Sequence, residues 1–209
     1  MTATVNRSLL SLAGGITGVL VLGFGLAYAC GAPPFEEERG EIKASAVCGT
    51  LGSSSGSAAA LREVLPDKST YVFDDAITDA RTDDMDLSYE RSCFVDGDGK
   101  QLVVATVEML QYDNADDWRK DVVEELVPAS SVKPFVAADK AVASREIAAL
   151  YVPCVRRGLG RHLSVVVQLK QPGKADDEDL RQGLITLARN AARFAHQQAK
   201  CDAPSEATR

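Results

Sequence analysis

Between Arg7 and Glu36 the chain runs for 28 residues without a charged side chain. The strongly apolar part, Leu9 to Cys30, is 22 residues long. At about 1.5 Å per residue, a helix of that length crosses a hydrocarbon core of roughly 30 Å. Gly14, Gly15, Gly18, Gly23 and Gly25 lie within it, a density that a membrane helix accepts and a water-soluble helix tolerates poorly. Arg7 precedes the stretch, while Glu36, Glu37 and Glu38 follow it. The positive-inside tendency then puts the N-terminus in the cytoplasm and everything after Cys30 outside. The expected organisation is a cytoplasmic 1–7, a transmembrane anchor over 8–30 and a juxtamembrane linker over 31–44. An extracytoplasmic domain over 45–201 and a flexible tail over 202–209 complete it.

Two other fates stay open for this segment. Ala27-Tyr28-Ala29 offers a small-x-small signal cleavage site. Leu26-Ala27-Tyr28-Ala29-Cys30 has a loose lipobox character, which would place a lipid on Cys30. A retained anchor ranks first because the apolar run exceeds the 7–15 residues of an ordinary signal peptide. All three fates deliver the same domain across the membrane.

The cysteines agree with export. Cys48, Cys93, Cys154 and Cys201 are spread over the exported part at spacings unlike zinc or thioredoxin-type motifs. In an oxidising compartment they are expected to form two structural disulfides. Of the three pairings, Cys48–Cys93 with Cys154–Cys201 closes two similar loops and ranks first; Cys48–Cys201 with Cys93–Cys154 follows.

The exported part holds 22 basic and 30 acidic residues, against −7 for the whole chain. That balance argues against nucleic acid, whose phosphates need a basic face. Two histidines in 209 residues leave little material for a His-based metal or catalytic site.

The pattern of the exported part predicts an α+β domain, with an antiparallel sheet covered by helices on one face. A helix capped by Ser57 runs from Ala58 to Leu65, and Tyr71-Val72-Phe73 forms a short strand. The acid-rich stretch Asp75 to Asp86 is a loop. Strands Tyr89–Val95 and Gln101–Gln111 flank an Asp96-Gly97-Asp98-Gly99 turn, whose Asp-Gly pairs accept positive φ. A helix from Ala115 to Val127 follows, then a second hairpin, Ile147–Val155 with Arg161–Lys170. A final helix from Asp176 to Lys200 carries Leu180, Leu184, Leu187, Ala188, Ala191 and Ala195 on one stripe. Shifting the sequence by 61 residues puts Cys93 on Cys154, Gly97 on Gly158, Gly99 on Gly160, Leu102 on Leu163 and Val104 on Val165. This points to two duplicated ββα units.

No catalytic constellation emerges. Asp96-x-Asp98-Gly99 begins like a calcium loop, but Lys100 and Val107 stand where ligands belong. The acids Asp113, Asp116 and Asp117 suit a solvated helix start. His162 and His196 lie outside any nucleophile motif, and no phosphate or dinucleotide fingerprint calls for a cofactor. The one electrostatic irregularity is a basic knuckle, Arg156, Arg157, Arg161 and His162, at the second hairpin turn of an acidic body. It could meet an anionic polymer or an envelope protein.

An apolar anchor ending near Cys30, followed by Cys48-Gly49-Thr50-Leu51 and Ser92-Cys93-Phe94-Val95, resembles the DUF3558-type secreted lipoproteins of actinobacteria. The resemblance implies location and fold class and carries over no functional residue. The expected function is a non-enzymatic binding or accessory module of the cell envelope. An exported hydrolase and a lipoprotein held through Cys30 are the alternatives.

Overall fold

A computed structural model describes residues 39–205 except 53, 84, 113 and 157–159. The expected anchor over 8–30, Cys30 included, lies outside the described residues, as do 31–38 and 206–209. Among the described residues no helix is long and apolar enough to cross a membrane.

The framework is a seven-stranded antiparallel sheet in the order β1-β2-β3-β7-β6-β5-β4. The strands are β1 (Tyr71–Asp79), β2 (Glu90–Gly97), β3 (Lys100–Leu110), β4 (Lys133–Pro134), β5 (Lys140–Ala143), β6 (Ile147–Val155) and β7 (Arg161–Leu169). Strands β3 and β7 are central, with Thr106 beside Val166. The β2–β3 turn forms as its residues require: Asp98 and Gly99 adopt φ of 49° and 71°. Asp98 also ties this turn to the entry of β1, accepting from the Ser69 hydroxyl (2.7 Å) and the Thr70 N–H (3.1 Å).

Helices α1 (Ser55–Val64) and α3 (Asp177–Gln198) lie on one face of the sheet. Asp176 caps α3 by accepting from the Glu178 and Asp179 N–H groups, and the predicted stripe from Leu180 to Ala195 is buried. The cap of α1 is Ser54 rather than Ser57. Ser54 accepts the Ser57 N–H (3.0 Å), while the buried Ser57 hydroxyl donates to the Leu51 carbonyl (2.5 Å). The helix thus starts at Ser55, three residues before Ala58.

Helices cover both faces, not one. A short α2 (Ala115–Trp118) continues as a π-helical turn, Arg119–Val123, instead of running regularly to Val127. Trp118, Val123 and Val127 lie on the opposite face, over Ile147, Ala149, Tyr151 and Val166. The cause is the composition of β6, which is apolar at both alternations: Ile147, Ala149 and Tyr151 on one side, Ala148, Leu150 and Val152 on the other. A strand of that kind must be buried twice.

Three boundaries move. Strand β1 extends to Asp79, through residues expected in a loop, because Asp75 finds donors on every side. Its carboxylate accepts from the Gly49 N–H (2.9 Å), the Thr50 N–H (3.3 Å) and hydroxyl (2.5 Å), and Arg91 (3.1 Å). The last residues of the expected linker belong to the domain. Ile42 is fully buried, its carbonyl accepts from Arg62 (2.6 Å), and Arg39 pairs with Asp67 (3.1 Å). Residues 202–205 are docked too, the Asp202 and Ala203 N–H groups donating to the Cys154 carbonyl.

The hairpins match in order but not in register. Gly99 and Gly160 share positive φ, 71° and 75°. Cys93, however, sits beside Ala105, whereas Val166, the residue 61 positions after Ala105, sits beside Ala149. Cys154 instead falls at a bulge between Pro153 and Val155. The second hairpin has a longer connection, so a gap-free shift aligns one of its strands and misaligns the other. The structure also gives each half more strands than a ββα unit holds, with β1 beside β2 and β5 beside β6.

Candidate functional site

The basic knuckle lies where β6 and β7 meet their connection, of which Arg157 is outside the described residues. His162 stands opposite Pro153, and its ring stacks on Tyr151 with centroids 4.0 Å apart and planes 11° apart. Tyr151 in turn stacks on Trp118 (5.1 Å, 19°). The column forms because His162, Ser164 and Val166 alternate onto the α2 face of β7, with Tyr151 beside Ser164. Two of its rings are held by hydrogen bonds: the Trp118 Nε1–H donates to Ser164 Oγ (2.8 Å) and the Tyr112 N–H to the Tyr151 hydroxyl (3.1 Å). Burial pushes the Tyr151 phenol up.

Two acids enter this basic patch. Asp139 Oδ2 lies 2.9 Å from His162 Nε2, and Asp202 Oδ1 accepts the Arg156 N–H (3.0 Å). Arg156 is exposed and Arg161 half-buried. Arg156, Arg161 and His162 therefore lie beside two carboxylates. Asp139 and the aromatic column were not legible as partners of His162, since only the register brings residues 118, 139, 151 and 162 together.

The Asp139–His162 pair has the geometry of a base held by an acid. Among the described residues no nucleophile completes it: none donates a hydroxyl hydrogen bond to His162, and the buried Ser164 is occupied by the Trp118 indole. His196 is structural, its Nε2 2.9 Å from the Ala203 carbonyl.

The cysteines are joined as Cys48–Cys93 and Cys154–Cys201, with Cα separations of 6.0 and 4.4 Å. The first ties the 3₁₀ turn Gly49–Leu51 to β2. The second ties the end of β6 to the segment that follows α3.

A groove of about 480 Å³ lies between the start of α3 and the β5–β6 turn, lined by Lys133, Arg145, Glu146, Asp177 and Arg181. Both of its arginines are engaged with acids of α3, Arg145 with Asp177 (2.9 Å) and Arg181 with Glu178 (3.2 Å). Among the described residues no group of three or more His, Cys, Asp or Glu side chains could hold a metal ion. Asp116 is neutralised by Lys140 (2.7 Å), whose hydrogen bond holds its carboxyl below the usual range. Compared with models of protein families, with curated proteins and with solved structures, the chain matches none.

Proposed function

We propose that the chain is a membrane-anchored extracytoplasmic protein whose exported domain acts as a non-enzymatic binding or accessory module of the cell envelope. The observation that carries this reading is the pair of disulfides, because such bonds persist in oxidising compartments and are rare where thiols are kept reduced. The charge-free stretch before Glu36 supplies the route there, as a retained span or as a lipid anchor on Cys30. Tethering raises the effective concentration of the domain at the membrane, so modest contacts suffice.

The partner is a protein rather than an anionic polymer. Asp139 and Asp202 interrupt the patch of Arg156, Arg161 and His162, and the exported part is acidic. The hydrolase alternative draws on the Asp139–His162 pair and is the weaker reading, since no described hydroxyl is bonded to His162. The similar order of strands about β3 and β7 supports descent of the two hairpins from one duplicated unit, with later lengthening of the second connection.

Cell fractionation with external protease tests the assignment. The expected result is a membrane-bound chain whose domain is digested in spheroplasts without lysis. A chain free in the cytosol and protected until lysis would overturn it.

A further inference from the structure

The two edges of the sheet are built differently. The β4 edge has two residues and ends on Pro134, which has no N–H to offer a neighbouring strand. The β1 edge is nine residues long and contains no proline. Among the described residues its only hydrogen-bonded neighbour in the sheet is β2. A long edge with one free side is a template for another strand unless something blunts it. Here the side chains do not close it: Val72 and Ile77 are 60% and 57% exposed, and in the following loop Met85 is 84% exposed. These are among the most exposed large apolar side chains of the domain.

The charge of the edge selects its occupant. Asp74, Asp75 and Asp79 lie in β1, and Asp83 and Asp86 follow. The loop is fixed in place: Arg81 reaches the Ala199 carbonyl (2.7 Å) and Asp86 binds the Thr82 N–H (3.0 Å). Asp75 is committed to Arg91 and Gly49, which leaves Asp74 and Asp79 along the strand. A second copy of β1 would add its own three carboxylates to those of the first, and like charges on neighbouring strands repel. The register places Val72, Asp74 and Asp79 on one face of β1 and Ile77 on the other. A segment alternating basic and apolar residues would therefore pair the same backbone, set its basic side chains beside Asp74 and Asp79, and set its apolar ones beside Ile77.

We propose that the β1 edge accepts, by strand addition, an extended segment of a partner protein that alternates Lys or Arg with apolar residues. The proposal rests on the binding-module reading but not on anchoring, so it fails or stands separately from the fractionation result.

The test is amide exchange by NMR on the full chain in a non-ionic detergent, with a ten-residue peptide alternating Lys and Val. At saturation, the β1 amides not paired to β2 should exchange at least about tenfold more slowly, since exchange then requires the peptide to leave. Binding should weaken with added salt. Asp74→Asn with Asp79→Asn should weaken it about threefold to tenfold, as expected for two exposed charge contacts. Charge reversal, Asp74→Lys with Asp79→Lys, should shift preference to a peptide alternating Glu and Val. Unchanged β1 exchange at millimolar peptide overturns the proposal. So does equal protection by the Lys and Glu peptides, or a concentration-dependent dimer paired through β1. If the reversed chain does not fold, the Asn variant decides.

Discussion

Asp75 occupies the middle of an exposed strand, a position acids usually avoid. It stays because it joins two elements: it takes the first N–H groups of the Gly49–Leu51 turn and balances Arg91, whose guanidinium also lies over the Phe194 ring at 5.1 Å. Among the described residues Arg91 Nε and the Tyr89 hydroxyl are buried with no hydrogen-bond partner, and burial pushes the Tyr89 phenol up. Removing the carboxylate would leave the guanidinium with less compensation still. Asp75→Ala is therefore expected to lower unfolding stability by about 2–4 kcal/mol in urea titrations, with the m-value unchanged. Glu108 is the opposite case. It faces Glu90 directly across β2 and β3, and burial first, then the charge of Glu90, raises its carboxyl above the ordinary glutamate range. A raised pKa means that the folded state holds the proton more tightly than the unfolded state. The penalty is absent at low pH and appears as pH climbs through the raised value. Glu108→Gln should thus stabilise the domain at pH 7 by a few tenths of a kcal/mol, about the size of a like-charge cross-strand pair. The advantage should vanish below the ordinary glutamate pKa. Melting curves from pH 4 to 8 check the sign.

Among the elements, α1 and α3 show how closely two helices can meet. A Cβ added at Gly183 would strike the Val64 side chain. Gly183→Ala, favourable by helix propensity alone, is expected to destabilise by about 1–3 kcal/mol through overpacking. A Val64→Ala background should recover part of that loss in thermal melts. The α3 stripe was readable because its spacing is regular and its cap and first-turn acids stand where the helix dipole favours them. The β2–β3 turn was readable because Asp98-Gly99 chemistry is local. The far half of β1 was not: Asp74, Asp75 and Asp79 deny it a strand-like composition, and only Gly49, Thr50 and Arg91 make Asp75 acceptable there. β4 and β5 were missed because they are short and held by β6 rather than by their own pattern. The doubly apolar β6 did carry a signal for helices on two faces, in Ile147, Ala149 and Tyr151. Of the patch, the cations were visible in sequence; Asp139 and Asp202, which temper them, reach it only through folding.

For the whole molecule, the disulfides span sequence separations of 45 and 47 residues. Loops of that length correspond to about 4 kcal/mol each on chain-entropy grounds, with about 2–4 kcal/mol typically realised. Paired substitution, Cys48→Ala with Cys93→Ala, should lower stability by that amount, as should Cys154→Ala with Cys201→Ala. A reductant should affect each variant less than the parent chain. The two covalent ties are what the proposed place of the domain in an oxidising compartment requires. The decisive measurement is differential alkylation and intact mass of the native protein taken directly from cells. Export into an oxidising compartment requires that Cys48, Cys93, Cys154 and Cys201 escape the first reagent under denaturing, non-reducing conditions and all react after reduction. Alkylation of any of these four before reduction, in the bulk of the native protein, would contradict it.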